Sequence, residues 1–172
     1  VFSGNSTSNT LVNNGTVVKS GATNVTFSNT LLNNAATVNV NAGTLTLSGG
    51  GNLGGTWNLA ATTFLVANGG TFTDGTGSIS GSGTSQFAGG THDLTGTVTV
   101  NTLTSIDNTT FQGSGNITFT NTTDWNSGTM SGSSPCTLTT ISSSRRPSCA
   151  AASARRSLPL GWSGRVSRAR CL

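Results

Sequence analysis

The acid–base chemistry available to the first 135 residues is sparse: four carboxylates (Asp74, Asp93, Asp107 and Asp124) and one imidazole (His92), with Lys19 as the one cation. No glutamate occurs anywhere in the 172 residues. Hydrolysis of a glycosidic bond by general acid and base needs two carboxyl groups on one face, about 5–10 Å apart. Matching Thr71-Phe-Thr-Asp74 to Thr91-His-Asp-Leu94 sets Asp74 against Leu94 and Asp93 against Thr73, so the two carboxylates point to opposite faces. The same match puts His92 in the place of Phe72, a position expected to be packed. Asp107 and Asp124 make a weaker pair still. The expected role of these aspartates is in turns, where a carboxylate accepts from nearby backbone N–H groups. Asp74, His92, Asp93 and Trp125 remain as weak candidates for ligand contact.

Other chemistries lack their residues. A calcium repeat of the Gly-Gly-x-Gly-x-Asp type would need Gly where "GGTFTDGTG" (69–77) has Phe72, and it would need a second copy. Cys136, Cys149 and Cys171 contain no Cys-x-x-Cys pair, so no zinc site is expected. Gly75, Gly77, Gly81 and Gly83 miss the dinucleotide-binding spacing and precede no helical pattern. With a single histidine and many serines, a Ser/His/Asp match would be empty. No cofactor, metal or catalytic residue is therefore assigned, and the chain is expected not to be an enzyme. Sequons at Asn5, Asn14, Asn24, Asn108, Asn116 and Asn121 are no more than a chain this rich in Asn and Thr produces by chance.

The scaffold that must hold these residues is legible in alternation. Thr44-Leu-Thr-Leu47, Thr97-Val-Thr-Val100 and Asn116-Ile-Thr-Phe119 place apolar residues on one face and Thr or Asn on the other, with Gly-Gly and Asn-Gly turns between such runs. The runs echo one another at 19–21 residues. Thr37-Val-Asn-Val40 returns as Thr56-Trp-Asn-Leu59, Asn24-Val-Thr-Phe27 as Thr44-Leu-Thr-Leu47, and the latter as Thr63-Phe-Leu-Val66. Leu11-Val-Asn-Asn14 is matched to Leu31-Leu-Asn-Asn34, and Thr97-Val-Thr-Val100 to Ile117-Thr-Phe-Thr120 with a shift in parity. Stacked coils explain such echoes and sandwiches do not. The expected fold is all-β, a right-handed parallel β-helix of about six to seven coils. Three inward columns follow: Val25, Leu45 and Phe64; Phe27, Leu47 and Val66; Val38 and Trp57. A few inward side chains per coil suffice for a continuous core, so 33% hydrophobic residues is no sign of disorder.

Residues 1–135 carry Lys19 against four aspartates, and residues 136–172 carry seven arginines and no acid. All cysteines and prolines lie at or beyond Pro135. This change predicts a boundary: a solenoid over 1–135, as a segment of a longer protein, and a basic tail over 136–172. The tail is read as a frame lost near residue 134, as disorder, or as a basic arm for an anionic polymer. No stretch approaches the roughly 20 apolar residues that cross a bilayer as a helix.

"LLNNAATVNVNAGTLTLSGGG" and "FAGGTHDLTGTVTV" resemble the repeats of large exported bacterial β-solenoid proteins of the filamentous-haemagglutinin and autotransporter-passenger kind, over roughly residues 10–133. The resemblance implies a secreted or cell-surface location and an adhesive, structural role. Glycans or cell surfaces are the implied partners, met through a polar Thr/Asn face, and no nucleic acid is expected to bind the solenoid. Two alternatives remain at this point. One is a carbohydrate-active β-helix whose catalytic coils lie elsewhere. The other is an ice-binding face built of Thr-x-Thr rows, against which the matched strands of Thr44 and Thr46 do not sustain the hydroxyl ladder.

Overall fold

The structure, a computed structural model, describes residues 9–131 throughout, with short strands at Phe2–Ser3, Cys136–Ile141, Ser148–Ala150 and Ala169–Arg170. It is an all-β solenoid of about six coils, and the described residues include no helix. Each coil runs along three walls. The first wall holds Thr16–Lys19, Thr37–Val40 and Gly55–Leu59, then the leading parts of Gly77–Phe87, Thr97–Ile106 and Asn116–Trp125. The second holds Val25–Ser28, Thr44–Leu47 and Phe64–Ala67, then the trailing parts of those same three long strands. The third is a separate sheet of Asn9–Asn13, Thr30–Asn34, Gly50–Asn52, Thr71–Asp74, Thr91–Leu94, Thr109–Gly113 and Gly128–Ser131, continued by Ser148–Ala150. Every strand pairing within residues 9–131 is parallel. The tail expected over 136–172 falls outside the described residues apart from its short strands; of these, Cys136–Ile141 pairs parallel with Asn116–Trp125.

Alternation makes the walls and stacking makes the core. Val38, Trp57, Ile79, Val100 and Phe119 lie in register, one per coil, and all five are fully buried. Trp57 fits there because its indole N–H donates to the carbonyls of Leu53 and Gly54, each at 3.1 Å, so no buried donor is left open. At one corner a polar ladder replaces apolar packing. Asn13 Nδ2 donates to Asn34 Oδ1 at 2.7 Å, and Asn34 Nδ2 donates to the Gly54 carbonyl at 2.7 Å. Each amide thereby ties its coil to the next while satisfying groups that burial would otherwise penalise.

Three sequence echoes fall in a different register. Thr44–Leu47 pairs with Phe64–Ala67 at an interval of 20, so Leu65 follows Val25 and Leu45 into the core and Ala67 follows Phe27 and Leu47. Phe64 and Val66, expected in those columns, lie on the outward face, with Phe64 37% exposed. The cause is the corner before them. Thr62 adopts φ 64°, and Thr63 turns inward, where its N–H and its hydroxyl both donate to the Ala60 carbonyl. Thr63 is spent on the turn, and the strand starts one residue later. Leu11 pairs with Leu32 at 21, and Thr97 with Asn116 at 19. The parity gives a direct test. Phe64→Thr is expected to change the unfolding free energy by less than about 0.5 kcal/mol, whereas Leu65→Ala is expected to lower it by about 2 kcal/mol or more. Equal losses in urea titrations of the two variants would refute the register.

Candidate functional site

Asp74 and His92 sit on successive strands of the third wall, and the pairing Thr71↔Thr91 makes both residues inward-facing. Phe72 is in register with His92, and Asp74 with Leu94. From those places the two side chains meet diagonally across the coil step. His92 Nδ1 lies 2.6 Å from Asp74 Oδ2, with the imidazole 0% and the carboxylate 2% exposed. The second carboxylate oxygen, Oδ1, accepts from the Leu53 N–H at 2.9 Å. Asp74 therefore departs from the turn role expected of it: it is a buried strand residue, and the N–H it accepts lies in the preceding coil.

The imidazole is one rung of an aromatic column. It stacks in parallel on Phe72 at a centroid distance of 4.5 Å and packs on Phe111 at 5.3 Å, and Phe87 meets it edge-on at 5.1 Å. Its Nε2 has no hydrogen-bond partner among the described residues. An imidazole–carboxylate pair sealed in this way can orient and be oriented; it cannot reach a substrate. Asp74 and His92, two of the four weak candidates for ligand contact, are thus core residues.

Trp125 is a third. It is 1% exposed, in register with Ile106, and packs against Phe111 at 6.1 Å. The inward parity of its strand, shared with Phe119 and Thr123, settles its direction. Asp93 alone of the four faces outward, half-buried beside Thr73. Asp107 accepts from the Ser105 hydroxyl at 2.8 Å, and Asp124 is exposed on the second wall. The aspartates are dispersed among core, corner and two different walls. No group of three metal-ligating side chains occurs among the described residues.

Two further features lie in the N-terminal coils. Lys19 is buried, and its ammonium donates to the carbonyls of Gly21 and Ala42, so its charge is held by two coils at a corner. A cleft of about 550 Å³ opens at the N-terminal end of the stack, lined by Val17, Val25, Phe27 and Leu45. Asn9, Thr10, Lys19 and Thr30 also border it, but the surface it exposes is mostly apolar and offers little to fix a ligand's orientation.

The outward faces are the remaining candidate, and here the structure adds what the sequence echoes did not. Along the first wall Thr16, Thr37, Thr56, Ser78, Thr99 and Thr118 stand in unbroken register, a hydroxyl on every coil. Beside them run Asn39, Asn58, Ser80 and Asn101, with Asn58 Nδ2 donating to Asn39 Oδ1 at 2.8 Å. All ten side chains are exposed or half-exposed. The signal was present, since Thr37/Asn39 and Thr56/Asn58 form one of the echoes. It was lost because Trp57 to Ile79 is a coil of 22 residues, outside the echo interval, which brings Ser78 rather than a threonine to the next place.

No protein-family model matches the chain, and neither the search of curated proteins nor that of solved structures gives a match.

Proposed function

We propose that the chain is a non-catalytic, structural segment of an exported surface protein, a rod that presents a polar face for many weak contacts. The observation that carries this reading is the continuous parallel stack, in which inward positions build one core and outward positions repeat Thr, Ser and Asn from coil to coil. A repeated face multiplies a weak contact by the number of coils engaged, and immobilising many rods on one surface multiplies it again. The dispersed carboxylates support the non-catalytic part, because hydrolysis of a glycan would require two of them on one groove. Location outside the cell, at a bacterial surface or secreted, follows from the repeat texture of residues 10–133 and belongs to the same proposal.

Fluorescent beads carrying many copies of the full chain are expected to bind a glycan array or whole cells at least about 100-fold more strongly than the monomer. No reducing ends should be released from the polysaccharides that are bound. Failure of the beads to bind any surface would remove the adhesive reading, and release of reducing ends would remove the non-catalytic one.

A further inference from the structure

The outward face of the first wall differs from those of the other two in carrying no charged side chain among the described residues, and its apolar interruption, Val18 in register with Asn39, lies at the N-terminal end. Among the described residues, its outward hydroxyl row runs from Thr16 to Thr118 over six coils, and the parallel row from Asn39 to Asn101 over four, with no acid, base or aromatic ring facing out between them. The second wall is interrupted by Phe64, Leu103 and Asp124, and the third by Leu31, Gly50 and Asp93. Stacked strands lie about 4.8 Å apart and alternate residues of a strand roughly 6.6 Å apart. The wall therefore carries a hydroxyl row about 24 Å long, flanked over its middle four coils, about 14 Å, by a second row of groups that donate and accept.

Three properties of that lattice restrict its partner. Without cations it has no attraction for an anionic polymer or a phosphate backbone. Its exposed apolar side chain, Val18, stands at the N-terminal end of the amide row, too small and too far from the middle of the lattice to form the buried centre on which protein interfaces depend. Its groups bind best a neutral molecule that is itself donor and acceptor at short, regular intervals. The coil spacing is close to the advance of one ring along an extended polysaccharide, so a chain lying parallel to the solenoid axis presents one sugar to each coil. The amide row distinguishes sugars from ordered water. An asparagine amide offers a donor and an acceptor side by side, which matches two neighbouring hydroxyls on one ring, whereas Ser78, Ser80 and the asparagines lack the methyl groups of an all-threonine face.

We infer that the first wall, centred on Thr37, Thr56, Ser78 and Thr99, is the contact surface for an extended neutral polysaccharide lying along the solenoid axis. The inference rests on the reading of the chain as a presenting rod and adds which wall is used and what it meets. The test is co-sedimentation of the full chain with microcrystalline cellulose and with chitin powder, at low and high salt. Retention should change less than about twofold with salt, because no exposed charge is involved. The double variant Thr56→Lys/Thr99→Lys should lose about tenfold in retention, and Thr46→Lys/Thr73→Lys, on the other two walls, should lose none. Thr56→Val/Thr99→Val removes the hydroxyls while keeping shape, and should also weaken retention if the lysine variant fails to fold. Binding lost only through Thr46 and Thr73 would overturn the choice of wall and leave the rod reading standing. Absence of binding to both powders, with cells or charged glycans still bound, would overturn the neutral partner, as would thermal hysteresis in freezing solutions. Absence of binding to every surface would end both readings.

Discussion

Replacing His92 by phenylalanine alone should destabilise the fold by about 3–5 kcal/mol, although phenylalanine matches the residues on either side of it. Phe72 and Phe111 are the register partners of position 92, and the ring would continue their stack. The loss falls on Asp74. Its carboxylate is 2% exposed and would keep one partner, the Leu53 N–H, in place of two. An unpaired buried charge is among the few single changes that approach the whole 5–15 kcal/mol stability of a domain. Asp74→Leu alone should cost a comparable amount, because it strands a buried imidazole whose Nε2 already has no partner. The double variant Asp74→Leu/His92→Phe should be more stable than either single one, and within about 2 kcal/mol of the parent. The introduced leucine side chain would join buried Leu53 and Leu94, and the remaining debit is the Leu53 N–H left without its acceptor. Chemical unfolding of the four proteins closes the cycle. Additive losses would show that the 2.6 Å contact is not an energetic pair.

That cycle separates what the sequence showed from what it hid. His92 over Phe72, and Asp74 opposite Leu94, follow from matching Thr71 to Thr91, and the structure has the same pairs. Their parity already placed both side chains on the inner face, so the diagonal contact was available in principle. It was missed because Asp74 was expected to serve a turn through nearby backbone N–H groups, which left His92 without an assigned partner, and only the coil step brings the two close enough to satisfy one another. The core ladder divides similarly. Val38 with Trp57, and Val25 with Leu45, lie in clean apolar/polar alternation and are found as expected. Phe64-Leu-Val-Ala67 is apolar at every position, so alternation cannot choose a face, and the turn at Thr62 and Thr63 makes the choice. Matching letters rewarded Thr63 as an echo of Thr44 when the turn had removed it from the strand. The hydroxyl row of the first wall was hidden by the reverse effect: the physical repeat persists through Ser78 while the spacing stretches to 22.

Gly51→Ala should be among the most damaging additions of one methyl group to the described coils, lowering stability by about 4 kcal/mol or preventing folding. Gly51 sits in the third wall between Leu32 and Phe72, at φ 134°, a conformation that L side chains rarely adopt. The space is closed as well, since a Cβ there would stand 2.2 Å from the Leu32 carbonyl oxygen, and 2.7 Å from its carbon and nitrogen. Backbone of the neighbouring coil cannot rotate away as a side chain would, and shifting it would break the pairing Leu32↔Gly51 on which the next coil is built. A solenoid has little other support at that point, because each coil contacts only its two neighbours. Gly15 is the control. It has no positive φ, and a Cβ there would meet nothing within 4 Å. Gly15→Ala should leave the native state intact and raise stability by about 0.4–1 kcal/mol through the unfolded chain. Thermal and urea unfolding of the two variants should therefore move in opposite directions. A Gly51→Ala protein as stable as the parent would mean that the coil at Gly50–Asn52 is not seated on Thr30–Asn34 in the register described.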